Sequence, residues 1–317
     1  MAHIEKRGPR RYRARYRGPD GKEHSKTTPT RHEAERWLAS ETTKRHRGEW
    51  IDPAAGRVTF SAWWDEWRST LHVRASTAEL YDYLGRRYLL PTFGDVELGR
   101  ITTSSVRHWL KGMRGTKLSP NTVAKAYRLL TRVLGQAVED RVITRAPSVK
   151  GAAVERSAEM HCPTPDEIAE IAGAIEPRYR ALVLLAGFGG LRWGELAGLR
   201  RARVDVLHSV VHVVEQVTEV NGKLATGPLK SDASQRVVAL PSFLVDELEG
   251  HGAHHGEPGP DGLVFPAAEG GPMRRSNFRR RVWLPALRAT GLEGSGSTIC
   301  VTRRGRWRRG RALRSPT

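Results

Sequence analysis

The sequence predicts an α+β fold, mainly α, in three successive parts: a β-hairpin or small sheet with one helix, a helical bundle, and a second mixed domain. Three observations predict it. Strand-type runs occur at residues 11–28 and again at 210–240. Between them lie apolar stripes of helical spacing, most of them opened by Ser or Thr. A small-residue, charged stretch at 151–161 separates the second part from the third.

The first part covers residues 1–57. Arg11-Tyr12-Arg13-Ala14-Arg15-Tyr16-Arg17 alternates strictly, so a strand puts four arginines on one face and Tyr12, Ala14 and Tyr16 on the other. Gly18-Pro19-Asp20-Gly21 is a turn, and residues 22–28 read as the returning strand. Thr30-Arg31-His32-Glu33 is a capping box that opens a helix to about Arg47. The arginine face is a candidate surface for DNA phosphates or a groove; the plain alternative is a solvated charged strand.

The second part, 58–150, is helical. Thr59 caps a helix carrying Trp63, Trp64 and Trp67, and Ser76-Thr77-Ala78-Glu79 reads as a capping box before Leu80, Tyr83 and Leu84. Thr102 opens a helix with Val106, Trp109 and Leu110. Ser119-Pro120 places proline at the first helical position of a long helix to about Asp140. Aromatic residues at this spacing belong to a core rather than to a base-stacking platform. Lys125 lies on the long helix as a candidate DNA contact.

The third part, 161–296, begins with Thr164-Pro165-Asp166-Glu167, another cap. Residues 178–188 are apolar on most sides and read as a buried helix broken by Gly189-Gly190. A new helix follows over 191–199. Residues 210–220 and 223–229 read as strands around an Asn221-Gly222 turn, and 236–240 as a third strand. Residues 242–250 are helical, and 251–262 form a loop. Its His254-His255 pair has no carboxylate or thiol at metal-ligand spacing, so it reads as solvated and no metal site is expected.

Bulk properties narrow the function. The formal net charge is +19. A field of that size attracts polyanions, nucleic acid first, although an anionic membrane surface or a ribosomal setting fits it too. Residues 303–314 hold seven arginines and no acid, and +12 remains without them. No apolar run is long enough to span a membrane, and the N-terminus lacks the apolar stretch of a secretory signal. Cys162 and Cys300 are too few for a disulfide framework, so a cytoplasmic location is expected.

The chemistry concentrates in Gly187-Phe188-Gly189-Gly190-Leu191-Arg192-Trp193-Gly194-Glu195-Leu196-Ala197-Gly198-Leu199. Two glycines stop one helix, and Arg192 enters the next, where it can reach outward toward a phosphate. Glu195, three residues on, can orient it. Taken alone, this is also the pattern of a surface ion pair. The stretch, with Leu199 and Asp205-Val206 beyond it, resembles the first signature box of the tyrosine recombinase (phage integrase) family. Residues 227–241 resemble the family's β-hairpin, residues 88–98 and 137–147 its helical core-binding domain, and the basic front hairpin the arm-site-binding module of long integrases.

The resemblance implies a site-specific DNA strand transferase. Arg192 would grip the scissile phosphate and Glu195 would support it. Lys230, at a hairpin tip, would protonate the leaving 5′-oxygen. Arg11, Arg13, Arg15, Arg17, Lys125 and Arg236 are expected on DNA. Duplex DNA is the expected partner, with self-association on it. No metal or cofactor is expected, because fixed cations supply the charge stabilisation. Trp193 stands where the family has smaller or polar residues.

The family also needs a His-x-x-Arg box and a tyrosine that forms a phosphotyrosyl bond. The last tyrosine here is Tyr179 and the last histidine His255. Residues 297–307 show neither helical nor strand periodicity. Read from the third base of each codon, residues 298–303 permit His-His-Leu-Arg-His-Thr, the missing box. We therefore expect a partial catalytic domain over 161–296 and an out-of-frame tail over 297–317, and a chain that does not cleave. An arginine-rich DNA tail and a deliberate truncation are the rival readings. A non-enzymatic DNA-binding regulator of a mobile element is the alternative function.

Overall fold

The computed structural model describes residues 2–154, 163–229 and 232–293. The chain divides into two compact units, Met1–Arg156 and Ser157–Thr317.

The first unit opens with an antiparallel sheet of β1 (His3–Gly8), β2 (Arg11–Arg17) and β3 (Glu23–Thr28), with β2 in the centre. β2, β3 and the turn between them lie where the sequence pattern expects them; β1 has no such pattern, since its single apolar residue, Ile4, gives no alternation. Its pairing with β2 sets Ile4 opposite Ala14. The alternation of β2 holds: Ala14 and Tyr16 are buried while Arg11 and Arg17 are exposed. The sheet packs on α1 (Arg31–His46), whose cap Thr30 accepts the Glu33 amide; Ala34 is fully buried.

The bundle follows as α2 (Phe60–Ser69), α3 (Ala75–Leu84), a π turn at Gly85–Leu89, α4 (Leu90–Phe93), α5 (Thr103–Arg114) and α6 (Pro120–Glu139). Thr59, Thr102 and Ser119 cap their helices as expected. Trp63, Trp64, Trp67 and Trp109 are all buried, which places the aromatic stripes in the core. Two indoles also satisfy their N–H groups there: Trp63 donates to Val133 O (3.1 Å) and Trp109 to Tyr88 O (3.0 Å). The third helix differs from expectation. α3 starts with Arg74 as its cap, so Ser76 lies inside it. That start does not turn Leu80 and Tyr83 inward; they are exposed, while Leu84 is buried and Tyr81 meets Trp67.

The second unit begins with α7 (Pro165–Ala174), which carries the full Thr164/Glu167 capping box, and α8 (Pro177–Gly189), buried over residues 181–187. Gly190 ends α8 in the left-handed region at φ 66°, which glycine adopts without steric cost. The helix expected over 191–199 is only one turn, α9 (Trp193–Ala197).

The strands are β4 (Val204–Asp205), β5 (Val210–Val213), β6 (Glu215–Val220), β7 (Lys223–Pro228) and β8 (Arg236–Ala239). Two corrections arise here. Residues 210–220 are two strands, because β5 joins a β4-β5-β8 sheet while β6 pairs only with β7. Residues 227–241 are not a hairpin: β8 pairs with β5, and the tight turn is Asn221-Gly222, with φ of 50° and 71°, between β6 and β7. Lys230 falls between β7 and β8 and lies outside the described residues, as does the run 294–317.

α10 (Ser242–His254) runs four residues further than expected, because His251 is a core residue whose Nε2 donates to Val264 O. α11 (Arg275–Phe278), a π turn at Arg279–Trp283 and α12 (Leu284–Ala289) are the last elements among the described residues and add Phe278, Trp283 and Leu287 to the unit's core. No helix among the described residues is long and apolar enough to cross a membrane.

Candidate phosphate-binding site

The site in the second unit is built around one buried carboxylate. Glu195 is 2% exposed, on the single turn of α9. Its Oε2 accepts the backbone amide of Arg192 at 2.8 Å, and its Oε1 accepts Arg192 Nη1 at 3.0 Å. From β8, Arg236 donates Nη2 to Oε2 (2.8 Å) and Nη1 to Oε1 (3.1 Å), a two-point clasp. Arg236 Nη2 also reaches Gly190 O at 3.3 Å, and its Nη1 reaches Ser234 O at 3.4 Å.

Burial pushes the Glu195 carboxyl up. The bonds from Arg236 and from the Arg192 amide, with the charge of Arg236, outweigh it and hold the carboxyl below its usual value. One negative charge therefore faces two fixed positive ones. The excess sits on Arg192, whose side chain is 68% exposed against 31% for Arg236 and 1% for Glu195. Such a site suits an anion with several acceptor oxygens.

Local chain geometry sets this up. The left-handed break at Gly190 turns the chain, Leu191 is buried, and Arg192 leaves on extended backbone. Gly194 and Gly198 let α9 lie against β6: a Cβ on Gly194 would be 2.7 Å from Val217 O, and one on Gly198 3.1 Å from Val217 N. Trp193 covers the turn, its ring 4.8 Å from that of Phe278.

The expected pairing of Arg192 with Glu195 is present. The clasp of Arg236 was not foreseen in that role, since 41 residues separate it from Glu195 and nothing local signals the contact. Lys230, the remaining member of the expected site, lies outside the described residues.

On the sheet of the first unit the four arginines of β2 differ. Arg11 and Arg17 are exposed. Arg13 donates to Ser25 Oγ (3.1 Å). Arg15 is ion-paired with Glu5 on β1 and, at 3.6 Å, with Glu23 on β3. These pairs are diagonal across the strand register, which sequence alone does not reveal. Glu5 is held below its usual carboxylate value, chiefly by the bond from Arg15. Lys125 is exposed on α6. His254 is exposed, and its Nδ1 bonds Gly250 O. Among the described residues one grouping, Asp20, His24 and Asp52, brings three possible metal ligands together; His24 Nε2 and the Asp20 carboxylate are paired there at 3.0 Å.

Comparison with known proteins fixes the lineage. Residues 3–47 match the phage integrase N-terminal domain, and residues 59–125 match the phage integrase N-terminal SAM-like domain. Across 312 residues the chain is 30% identical to the putative prophage phiRv2 integrase of Mycobacterium tuberculosis, covering 92% of this chain and 82% of that protein. The chain belongs to the phage integrase family of tyrosine recombinases. Solved integrases share the fold. The Tn1549 transposon integrase in complex with transposon right end DNA superposes with TM-score 0.61 at 18% identity, covering 70% of this chain and 75% of that one. A lambda integrase dimer bound to a COC′ core site gives TM-score 0.56 at 17% identity, covering 93% and 83%.

Proposed function

We propose that this integrase-family chain binds duplex DNA, with Arg192 gripping a backbone phosphate at the core site and Glu195 holding it in place. The carrying observation is the exposed Arg192 guanidinium tied to a carboxylate that is itself buried and doubly paired. In this reading Lys230 is the general acid for the leaving 5′-oxygen. Arg11, Arg13 and Arg17 take phosphates from the arm sheet, and Lys125 takes one from the bundle. Self-association on DNA is part of this reading, supported by the similarity to a lambda integrase dimer bound to a COC′ core site. Compensation of phosphate charge by fixed cations needs no metal in this reading.

The second half of the proposal is that the polypeptide of residues 1–317 binds without cleaving, since it holds no tyrosine after Tyr179 to form the phosphotyrosyl bond. The out-of-frame reading of 297–317 supports this, and the nucleotide sequence around codons 293–298 and past the stop codon tests it. An in-phase His-x-x-Arg box and a tyrosine are expected downstream.

The deciding experiment is a nicked suicide duplex incubated with the chain, beside a mobility-shift titration of the same duplex. Salt-sensitive binding with no covalent adduct is expected. A covalent protein–DNA adduct overturns the non-cleaving reading, and binding indifferent to salt overturns the electrostatic one. Arg192→Ala separates the alternative of a DNA-binding regulator, for which binding at a core-type site should not change.

A further inference from the structure

From the geometry around Glu195 we infer that Arg236 is a positioning residue for Arg192 rather than a contact to DNA. This rests on the proposed role of Arg192 and extends it to how that arginine is aimed. Three observations carry it. Among the described residues the Arg236 guanidinium makes four bonds that share out its donors: two to Glu195, one to Gly190 O and one to Ser234 O. It thereby ties the left-handed end of α8, the turn of α9 and the segment leading into β8 at one point. Finally, Glu195 has only two oxygens. The arginine from β8 takes both, leaving Arg192 its backbone amide bond and one Nη1 bond as the fixed posture.

Arg192 alone is a long, mostly exposed side chain with many rotamers, and its bond to Glu195 orients it only if Glu195 is itself fixed. A single bond leaves a carboxylate free to rotate. The planar fork of an arginine fixes both oxygens at once, which the single ammonium of a lysine cannot do. The clasp also keeps the carboxylate charged in spite of its burial, so that it remains a partner for Arg192.

The test uses the full chain and a fluorescein-labelled duplex carrying the mobile element's core sequence. Affinity is measured for wild type, R192Q, R236Q, R236K, E195Q and the double variant E195Q/R236Q, each first confirmed to melt cooperatively. R236Q should weaken binding by about tenfold, the low end of what a hydrogen bond to a charged group is worth. R236K, which keeps the charge but not the fork, should restore less than half of that loss on a logarithmic scale. In the E195Q background the R236Q change should cost less than about twofold, because the carboxylate it acts through has gone. Equal losses in both backgrounds, or R236K indistinguishable from wild type, would overturn the inference and leave Arg236 as a direct or purely electrostatic contact. If R236Q fails to melt cooperatively, R236K with the E195Q variants carries the same decision. R192Q without any effect defeats the parent reading of Arg192 instead, so the two failures are told apart.

Discussion

Gly194→Ala tests the packing on which the site depends. The Cβ it adds would lie 2.7 Å from Val217 O, and that neighbour is strand backbone rather than a movable side chain tip. Ordinary contact begins near 3.4 Å, so α9 must back away from β6 by about 0.7 Å. Overpacking of this kind costs roughly 1–3 kcal/mol. Gly250→Ala is the matched control in the same unit. It lies inside α10, with nothing within 4 Å of its added Cβ, so the better helix propensity of alanine should stabilise by about 0.5–1 kcal/mol. Urea unfolding followed by circular dichroism reads both: the midpoint of the second unit's transition should fall for the first and rise for the second. At a slope of about 2 kcal/mol per molar, the two should differ by roughly 1 M urea. If Gly194→Ala unfolds with the wild-type midpoint while Gly250→Ala shows its gain, α9 does not sit against β6 as described, and the aim of Arg192 loses its structural basis.

Glu195→Gln should destabilise the second unit by about 1.5–3 kcal/mol near neutral pH, the range for a hydrogen bond to a charged group. The Glu195 carboxyl is held below its usual value, so its contribution is present above the ordinary carboxylate range and fades as pH falls through the lowered value. The stability gap between wild type and variant should accordingly narrow in acid; a gap that widens there contradicts the clasp. In the first unit, Trp63→Ala should cost about 3–5 kcal/mol, since a nearly fully buried indole and its bond to Val133 O are lost together; a loss below 1 kcal/mol in thermal unfolding would place Trp63 outside the core. For the arm sheet, replacing Arg11 and Arg17 with Gln should lower the salt slope of duplex binding by about 0.9 per phosphate contact removed. Arg15→Gln should change it less, because Glu5 and Glu23 already balance that charge.

The helices of this chain were legible because their signals are local. Thr59, Thr102, Ser119 and Thr164 each place a hydroxyl where the first turn needs an acceptor, and the structure finds each of them as a cap. The stripe of Trp63 and Trp67 announces a buried face by spacing alone. Local signals also misled. Ser76 and Glu79 have the spacing of a capping box, yet the cap is Arg74 and the helix begins at Ala75, two residues before the Thr77 that a Ser76 cap would give, and no capping rule shows that Leu80 and Tyr83 face outward. Strand partners were illegible for a different reason. Residues 210–220 look like one continuous strand, and whether a strand changes sheet at Val214 depends on what pairs on either side. That is a matter of sequence separation: β8 returns from 23 residues beyond to pair with β5. β1 shows the same limit, since an edge strand with one inward apolar residue has almost no pattern to read.

The candidate site divides along the same line. Arg192 and Glu195 are three residues apart on one turn, so their pairing could be anticipated. Arg236 meets them only through the β5–β8 pairing, and that pairing decides what the site can hold. Two charges of opposite sign, left to themselves, make a neutral surface pair with little pull on a phosphate. A third group of positive sign, sharing the same carboxylate from a separate strand, leaves one positive charge in excess and fixes the carboxylate beneath it. In the proposed function this is why a phosphate grip survives without the nucleophile. Arg192, Glu195 and Arg236 are carried by α9, β8 and the break after α8, and these pack on a core of Leu182, Leu185, Leu191, Leu196, Val211 and Leu244 that belongs to the described residues. In the proposed function the phosphate grip needs this core to fold, whereas cleavage also needs a tyrosine delivered to the same phosphate. In that reading the dependence runs one way: a variant that abolishes the phosphate grip abolishes any cleavage with it, whereas loss of cleavage need not touch the grip.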